Sequence, residues 1–351
     1  METDASPSNS TIYDVAKLAG VSIATVSRVL NGHSHLKDST KALVLQSVKE
    51  LQFVPNNAAR GLSSGSKRVI GLLFVRTQSE DFLEIVQESL LFTDSVIRGA
   101  ERAASEQGYS LLLGGVESDR QAETVDRMIS MCDGLVLLDR TLSDREVPVI
   151  ARRVPTVLLA GNGRARSAFT VRVDNAEAMS RIAHHLVLEH GLTRLAFLSG
   201  FAASPDSQAR REGFVRGALE CGAVVEDDPL WFSDYTSSGA VQVIERRVAT
   251  GAPLPQAIAC ANDQAAIGAI HALKRSGIRV PSDVAITGFD DISVARHVSP
   301  TLTTVHQPVQ QLGTTAVEVL LQALQSPKRT TPLSTVLPTT LMLRQSCGCD
   351  Q

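Results

Sequence analysis

The clearest chemical pattern lies in Ser22–Asn31, the run Ser-Ile-Ala-Thr-Val-Ser-Arg-Val-Leu-Asn. A serine cap at its start and Asn-Gly after it predict a short helix. Helical spacing places three apolar residues on one face, namely Val26, Val29 and Leu30. The opposite face carries small, hydroxyl-bearing and basic side chains, namely Ile23, Ala24, Ser27 and Arg28. Such a helix fits the major groove of DNA with Arg28 against a guanine edge, and an ordinary amphipathic surface helix is the alternative.

The rest of the chain shows no pattern of residues typical of catalysis. A Gly-rich phosphate loop, a nucleophile elbow, paired catalytic acids and a metal-spaced His/Cys set are all absent from the sequence. His184 and His185 are adjacent on a predicted helix and do not share a face. Cys347 and Cys349 could bind a metal or form a disulfide, but we interpret them as part of a loose tail. We therefore predict a protein that is not an enzyme, with no catalytic residues, no metal and no cofactor.

Composition indicates a multidomain protein of the cytosol. The 351 residues fit two or three domains, and a hydrophobic content of 43% is enough for substantial cores. No run reaches the ~20 apolar residues that cross a membrane. Residues 1–10 are polar and unlike a secretory signal. Five cysteines without metal-ligand spacing suggest reduced thiols, so we predict a cytoplasmic protein that does not contact a membrane.

The charge is distributed unevenly along the chain. Residues 11–68 carry eight basic and three acidic residues, a net +5, so the remainder sums to −8 of the total −3. A small basic domain on an acidic body indicates that the small domain meets a polyanion.

Three short helices are predicted in this basic segment. Thr11–Asp14 has the pattern of a capping box that opens the first helix. A turn at Gly20 leads into the helix described above, and a third helix over Asp38–Leu51 repeats apolar residues at i, i+4 and i+7. We predict a helix-turn-helix DNA-binding domain over residues 11–55, preceded by a disordered N-terminus at 1–10.

The runs Thr11–Gly32 and Val54–Leu62 resemble the lactose-repressor (LacI/GalR) family of bacterial transcription regulators. The resemblance implies that bases are read by Ile23, Ala24 and Arg28. It implies that backbone phosphates are touched, or the groove contacts supported, by Tyr13, Ser22, Thr25, Ser27, Asn31, His35, Thr40, Asn57 and Ala59. The Ile-Ala pair is similar to the recognition helix of catabolite-control members of the family.

A hinge helix and linker over residues 56–66 are also implied by the resemblance. Leu62 matches the leucine that such proteins wedge into the minor groove, and packing of Leu62 on the body is the alternative. An apolar wedge unstacks a base step at a cost of a few kcal/mol and kinks the duplex. Two wedges side by side require a homodimer on a pseudo-palindromic site in double-stranded DNA.

Strand-like and helical segments alternate along the rest of the chain. The strand-like runs are Val69–Val75, Tyr109–Leu113, Gly134–Leu138, Thr156–Leu159, Leu195–Ser199, Ala257–Ala261 and Val284–Gly288. The helical runs are Asp94–Gln107, Ala176–His190, Ser207–Cys221, Gly239–Thr250 and Gln264–Ser276. We predict an α/β body with parallel sheets over residues 67–345 and a tail at 346–351. The resemblance implies a two-lobed, periplasmic-binding-protein-like arrangement with a ligand in the cleft, lobe one covering about 69–173 and 308–335.

Polar residues after the strands are candidates for binding a small-molecule effector, because ligands of α/β sheets bind beyond the carboxyl ends of strands. The resemblance implies that the cleft residues are Phe92, Arg210, Tyr235, Asn262, Asp290 and Gln307. Arginine and carboxylates suit the hydroxyls of a sugar, sugar phosphate or nucleoside. Asn262 and Asp290 could instead cap the helices that follow them, and Asp174-Asn175 is interpreted as a cap.

Two departures from the family pattern concern the first lobe. The segment 76–93, where relatives carry a short cleft loop, is longer and acidic, and Ala160 stands where sugar-binding relatives often have Asp or Arg. An unusual effector and a cleft that has lost its ligand are both compatible with these changes.

The sequence therefore predicts a dimeric, DNA-binding transcriptional regulator, a repressor, under allosteric control by a sugar-like effector. One alternative is a catabolite-control type of regulator with a protein co-effector. A solute-binding protein is another alternative, against which the basic N-terminal domain argues.

Overall fold

The computed structural model describes residues 10–30, 36–53, 66–76, 82–117, 119–138, 140–143, 145–160, 167–202, 204–226, 228, 230–325 and 333–349, with the backbone alone for 82–91. The chain divides into two compact units, Met1–Arg68 and Val69–Gln351. We call these the head and the body. The predicted hinge, including Asn57, Ala59 and Leu62, falls outside the described residues, as does most of the N-terminus predicted to be disordered.

The head consists of three helices, α1 (Ile12–Leu18), α2 (Ile23–Leu30) and α3 (Asp38–Glu50). Thr11 and Asp14 form the predicted capping box, so two amide groups at the start of α1 have side-chain acceptors. The core of the head contains one fully buried valine from each helix, namely Val15, Val26 and Val44. Three short helices that are individually marginal in water are thereby held together by one shared apolar cluster.

The body contains twelve strands. They are β1 (Val69–Val75), β2 (Ser110–Val116), β3 (Gly134–Leu138), β4 (Thr156–Leu159), β5 (Phe169–Val173), β6 (Arg194–Leu198), β7 (Val224–Glu226), β8 (Ala257–Cys260), β9 (Ala285–Thr287), β10 (Thr304–His306), β11 (Ser334–Leu337) and β12 (Thr340–Met342). Its helices are α4 (Phe82–Glu106), α5 (Gln121–Met131), α6 (Val147–Ala151), α7 (Asn175–Leu188), α8 (Pro205–Glu220), α9 (Ser237–Ala249), α10 (Asp263–Arg275) and α11 (Val309–Gln325). Short 3-10 helices follow at Ser293–Arg296 and Gln345–Cys347. The count of strands and the list of helices apply to the part of the chain that the structure describes.

Two parallel sheets organise the body. The first has the order β11-β5-β4-β3-β1-β2 and the second has the order β7-β6-β8-β9. We call each sheet with its helices lobe one and lobe two. The central strands are almost continuously apolar because both faces of each sheet are covered by helices. Strands β10 and β12 form a separate antiparallel pair.

Four α-helices of lobe two, α7 to α10, begin at a side-chain cap. Each capping side chain accepts a hydrogen bond from the backbone N–H of the residue three positions later in the chain. The four caps are Asp174, Ser204, Thr236 and Asn262. These caps satisfy amide groups that would otherwise lack acceptors at the carboxyl edge of the sheet. The edge where a ligand is expected is therefore built from ordered helix starts.

Glycine allows the helices of the body to pack with their backbones in contact. A methyl group at Gly213 on α8 would overlap the carbonyl oxygen of Ala176 on α7, and one at Gly99 on α4 would overlap that of Gln310 on α11. Any larger residue at these two positions would force the paired helices apart. This explains the glycine three residues after Arg210, a position that fixes how α8 lies on α7.

Three sequence-based expectations were wrong in this unit. The segment 76–93 is not a long loop, because α4 begins at Phe82 and continues through it. The stretch 346–351 is not a loose tail throughout, because Ser346 and Cys347 are buried and Ser346 bonds the backbone of Thr301. The short strands β5, β7 and β10–β12 were missed, because polar or charged residues interrupt their apolar runs. Within the described residues, no helix is both long enough and apolar enough to traverse a bilayer.

Candidate nucleic-acid interface and ligand site

The helix α2 exposes the residues that the sequence assigned to base contacts. Val26 is fully buried, and Val29 and Leu30 pack against the head core. Ile23 is 40% exposed, and Ala24 and Arg28 are exposed as well. The predicted division into a buried face and an outward face is confirmed, and the outward face presents Ile23, Ala24 and Arg28 to solvent, as contact with a groove requires.

The start of α2 is held by its own cap and by the turn before it. Ser22 Oγ accepts the backbone N–H of Thr25 at 3.2 Å, and the two hydroxyl groups lie 2.9 Å apart. The N–H of Val21 donates to the carbonyl of Ala16 at 3.0 Å, which closes the turn between α1 and α2. The amino end of α2, where base contacts are expected, is therefore fixed relative to α1.

The remaining predicted DNA contacts divide into two groups. Tyr13 is 68% exposed on α1, while Ser27 and Thr40 are half-buried on α2 and α3. Outside the described residues lie Asn31, His35, Asn57, Ala59 and Leu62. The first group places one hydroxyl group on each helix of the head, and the role of each residue stays a prediction.

Arg210 is the centre of the polar cluster in lobe two. Its side chain is buried, and its Cζ lies 3.6 Å from the ring centroid of Phe289. Nε donates to Asn175 Oδ1 at 2.8 Å, and Nη1 donates to the carbonyl of Ala261 at 2.6 Å. A buried guanidinium with stacking and hydrogen-bond partners is held in one orientation, as a binding group requires.

Asp290 faces Arg210 across the same cluster. Its Oδ1 lies 3.7 Å from Arg210 Nη1 and accepts a hydrogen bond from Gln307 Nε2 at 2.5 Å. Among the described residues, no donor reaches the other carboxyl oxygen of Asp290. The structure thus brings together three of the predicted effector residues and leaves a carboxylate oxygen available to a hydroxyl donor.

Asn262 and Tyr235 form a second pair in lobe two. Asn262 caps α10 through Oδ1, and its Nδ2 donates to the carbonyl of Tyr235 at 2.9 Å. Tyr235 has a left-handed φ of 70°, and its hydroxyl lies 3.0 Å from Ser204 Oγ. The ring covers Gly200, where a side chain would collide with it. Both polar groups of the Asn262 amide are therefore used within the protein, which favours its capping role.

Phe92, Ala160 and Asn175 complete the comparison with the sequence. Phe92 is half-buried against the main apolar core, and no described hydrogen bond or ring contact joins it to the Arg210 cluster. Ala160 lies at the end of β4 with a φ of 62°. Asn175 had been interpreted only as part of a cap, yet it bridges Arg210 Nε and Asp206 Oδ1. The only available signal was its place after β5, a strand that the sequence did not predict.

The carboxyl groups at this edge have shifted pKa values of opposite sign. Burial raises the pKa of Asp290 to about 6, against the opposing effects of Arg210 and Gln307. Burial and the nearby Asp290 raise the pKa of Asp263, although Thr304 and the N–H of Ile292 donate to its carboxyl. Burial also acts to raise the pKa of Asp291, but hydrogen bonds from Arg344 and Arg296 outweigh it and leave that pKa lowered. Two adjacent aspartates are thus set for different charge states in mildly acidic solution.

A pH dependence of stability follows from the raised pKa of Asp290. A carboxyl group with a pKa of 3.8 when unfolded and about 6 when folded stabilises the fold below pH 4, and this contribution is lost as the pH rises through 6. The shift corresponds to about 3 kcal/mol in the free energy of unfolding. Urea unfolding of wild type and Asp290→Asn at pH 4, 5, 6 and 7 should show the wild type losing stability relative to the variant. If the stability of the wild type and of Asp290→Asn changes with pH in parallel, the raised pKa of Asp290 is contradicted. As a control, Asp119→Asn changes an exposed aspartate, and its stability should follow that of the wild type at each pH.

Comparisons with known proteins agree with this geometry. The model of the lacI family of bacterial regulatory proteins matches residues 11–56, and a periplasmic binding protein-like domain matches residues 183–347. The HTH-type transcriptional repressor PurR of Vibrio vulnificus is 31% identical over 90% of this chain and 92% of its own length. The catabolite control protein A of Priestia megaterium is 31% identical over 96% of this chain and 99% of its own.

A solved structure of the lac repressor dimer, bound to operator and the anti-inducer ONPF, matches 97% of this chain and 99% of its own with 25% identity and a TM-score of 0.83. A complex of the regulator CelR with cellobiose matches 96% of this chain and 99% of its own with 28% identity and a TM-score of 0.69. An exposed recognition helix and a polar cluster at the edge of a parallel sheet occur here in a chain that matches these regulators over nearly its full length. The protein is therefore a DNA-binding transcriptional regulator that belongs to the lacI family.

Proposed function

We propose that this regulator is a repressor that binds a pseudo-palindromic operator as a homodimer and is controlled by a sugar-like effector. The exposed face of α2, with Ile23, Ala24 and Arg28 beside a capped amino end, is the observation that carries the DNA-binding part. The named repressors that are similar to this chain support the direction of regulation. A protein that acts on operators works in the cytoplasm, where the chromosome lies, and its regulator relatives support the absence of catalytic activity.

The chemistry of the cluster in lobe two supports a polyhydroxylated effector. Asp290 offers a carboxylate oxygen, and Arg210 offers a fixed guanidinium close to it. Adjacent hydroxyls of a sugar or ribose can donate to the first and accept from the second through charge-assisted hydrogen bonds. Two solved relatives, bound to cellobiose and to ONPF, show that this fold accommodates organic ligands of moderate size.

Control of DNA binding requires only a modest coupling between effector and operator. A coupling free energy of about 1–3 kcal/mol changes affinity by roughly 5–150-fold. By linkage, the operator must change the effector affinity by the same factor. The effector either weakens or strengthens operator binding, depending on whether this factor lowers or raises the operator affinity. Measuring operator affinity with and without the effector distinguishes the two cases.

The test uses the full chain in two steps. A thermal-shift screen against mono- and disaccharides, sugar phosphates, polyols and nucleosides should identify a ligand, because binding at 100 times the dissociation constant stabilises the fold by about 2.7 kcal/mol. Fluorescence anisotropy with an operator selected from random DNA then measures affinity with and without that ligand. Asp290→Asn should weaken ligand binding by roughly 10–150-fold, the value of a charged hydrogen bond, whereas Asp119→Asn should not. A ligand that leaves operator affinity unchanged would refute allosteric control.

A second candidate is a protein co-effector. It is favoured by the identity to catabolite control protein A over nearly the whole chain and by the resemblance of the recognition helix to that group. Two results together would support this candidate over the sugar-like effector. The thermal-shift screen would identify no ligand, and a cell extract would raise operator affinity only as long as the protein in the extract is intact.

A further inference from the structure

Four side chains that could bind a metal meet at the carboxyl end of α7, whereas Asn175 at the amino end of that helix contacts Arg210. His185 lies in the last turn of α7, His190 follows that helix, and Cys347 and Cys349 flank Gly348 after the last strand. One ligand atom from each residue lies within 4.8 Å of the other three. Cys347 is buried and the other three are half-buried, so solvent reaches the group only in part.

The distances between these atoms are those of a tetrahedron around one ion. The two Sγ atoms are 3.5 Å apart, the two Nε2 atoms are 3.2 Å apart, and three S···N distances are 3.5, 3.5 and 3.6 Å. Tetrahedral zinc, with Zn–S bonds of about 2.3 Å and Zn–N bonds of about 2.0–2.1 Å, requires edges of about 3.8, 3.3 and 3.6 Å for the S–S, N–N and S–N pairs. The agreement covers five of the six edges.

Hydrogen bonding alone does not account for the arrangement. His185 Nε2 lies 3.2 Å from His190 Nε2 and 3.5 Å from each sulfur. A ring nitrogen has either one hydrogen or one lone pair, so it can satisfy one such neighbour and not three. A cation at the centre uses one lone pair from every group and satisfies all four together.

The local backbone is suited to bring the two cysteines to one point. Gly348 has a φ of 107°, which residues other than glycine rarely adopt. A side chain at Gly348 would also press against the ring of His190. The N–H of Gly348 donates to the carbonyl of Gln345 at 3.0 Å, which fixes the turn. Thr303 Oγ1 lies 3.0 Å from Cys347 Sγ, so an outer hydroxyl also contacts the cluster.

We propose that His185, His190, Cys347 and Cys349 form a structural zinc site. Binding of Zn²⁺ displaces two thiol protons and leaves two thiolates and two neutral imidazoles, so the occupied site carries no net charge. Such neutrality suits a half-buried position, because an uncompensated charge there would be costly. With all four positions supplied by the protein, the site is closed and structural. It attaches the segment after β12 to α7, and it is independent of the proposed function.

The experiment measures the metal content of full-length protein that carries no histidine tag. After purification under reducing conditions and dialysis, elemental analysis should give close to one zinc per chain. Replacement of the metal by Co²⁺ should produce the intense visible bands of a tetrahedral ion together with a sulfur-to-cobalt charge-transfer band. An octahedral cobalt spectrum, or zinc removed by dialysis alone, would overturn the proposal.

Matched variants locate the site. Cys349→Ser and His190→Gln change half-buried ligands and should lower zinc affinity by more than the roughly 10–100-fold that loss of an outer partner costs. The controls are Cys221→Ser and His184→Gln, which change a cysteine and a histidine outside the cluster and should retain full zinc content. Circular dichroism verifies that each variant is folded. Equal zinc loss in controls and ligand variants, or a Cys347–Cys349 disulfide in place of zinc in the reduced protein, would also refute the site.

Discussion

Replacing Arg28 with alanine is expected to lower affinity for the operator by roughly 30-fold to 10⁴-fold, far more than for random DNA. A bidentate contact between an arginine and a guanine contributes about 1–3 kcal/mol of discrimination, and a dimer makes that contact in both half-sites, about 2–6 kcal/mol in all. Arg28 is exposed on a helix whose opposite face is buried, so its removal leaves the head core intact. Anisotropy titrations with operator and random duplexes at one salt concentration measure both affinities.

Arg28→Lys provides the matched control for charge. Lysine retains the positive charge but lacks the planar pair of donors, so binding to random DNA should be nearly unchanged while discrimination falls. If, in each variant, the loss of affinity for the operator equals the loss of affinity for random DNA, Arg28 contacts phosphate and not a base edge. If Arg28→Lys keeps full discrimination, the bidentate assignment is wrong.

Replacing Arg210 with alanine should lower the free energy of unfolding by about 3–5 kcal/mol, because it leaves a buried carboxylate without its partner. The same change removes the donors that now serve Asn175 and Ala261, and it leaves the face of Phe289 uncovered. Effector binding should be lost along with stability. Urea unfolding at pH 7 measures the first effect, and calorimetric titration at a temperature where the variant is folded measures the second.

Arg211→Ala is the control for this experiment. Arg211 is the chain neighbour of Arg210 on α8, and residues one apart on a helix do not share a face. We expect a smaller loss of stability and an unchanged effector affinity. Similar losses from both substitutions would show that α8 is sensitive to any alanine here, and the role assigned to Arg210 would be abandoned.

The head could be predicted from the sequence because its determinants are local. The capping box at Thr11 and Asp14, the cap at Ser22 and the apolar spacing that buries Val26 each act within one or two helical turns. The exposed position of Arg28 follows from the same spacing. Such information survives in a single sequence without any knowledge of distant contacts.

The body was predictable in outline and less so in its sites. The most apolar strands were correctly located, with β1, β3 and β4 matching the predicted bounds. Cys347 and Cys349 were considered as metal ligands but interpreted as a loose tail, because the sequence gives no sign of histidines beside them. His185 and Cys347 are separated by 162 positions, and no spacing rule joins residues that far apart. The partnership of Asn175 with Arg210 was missed for the same reason, since it arises only when α7 packs on α8.

The segment Arg344–Cys347 has a consequence for the order in which the protein is made. Its backbone and side chains bond Thr301, Thr303, Ile286 and Asp291 of lobe two, yet it follows the last strand of that sheet, which ends at Thr287, by 57 residues. At about 5–20 residues per second, the ribosome adds it roughly 3–11 s after β9. Strand β11 and helix α11 of lobe one are made in the same interval. The nascent chain therefore holds two unfinished lobes at once, lobe one without β11 and lobe two without the segment that bonds its strands and loops. A fragment that stops before residue 333 should need chaperone protection in a way that the full chain does not.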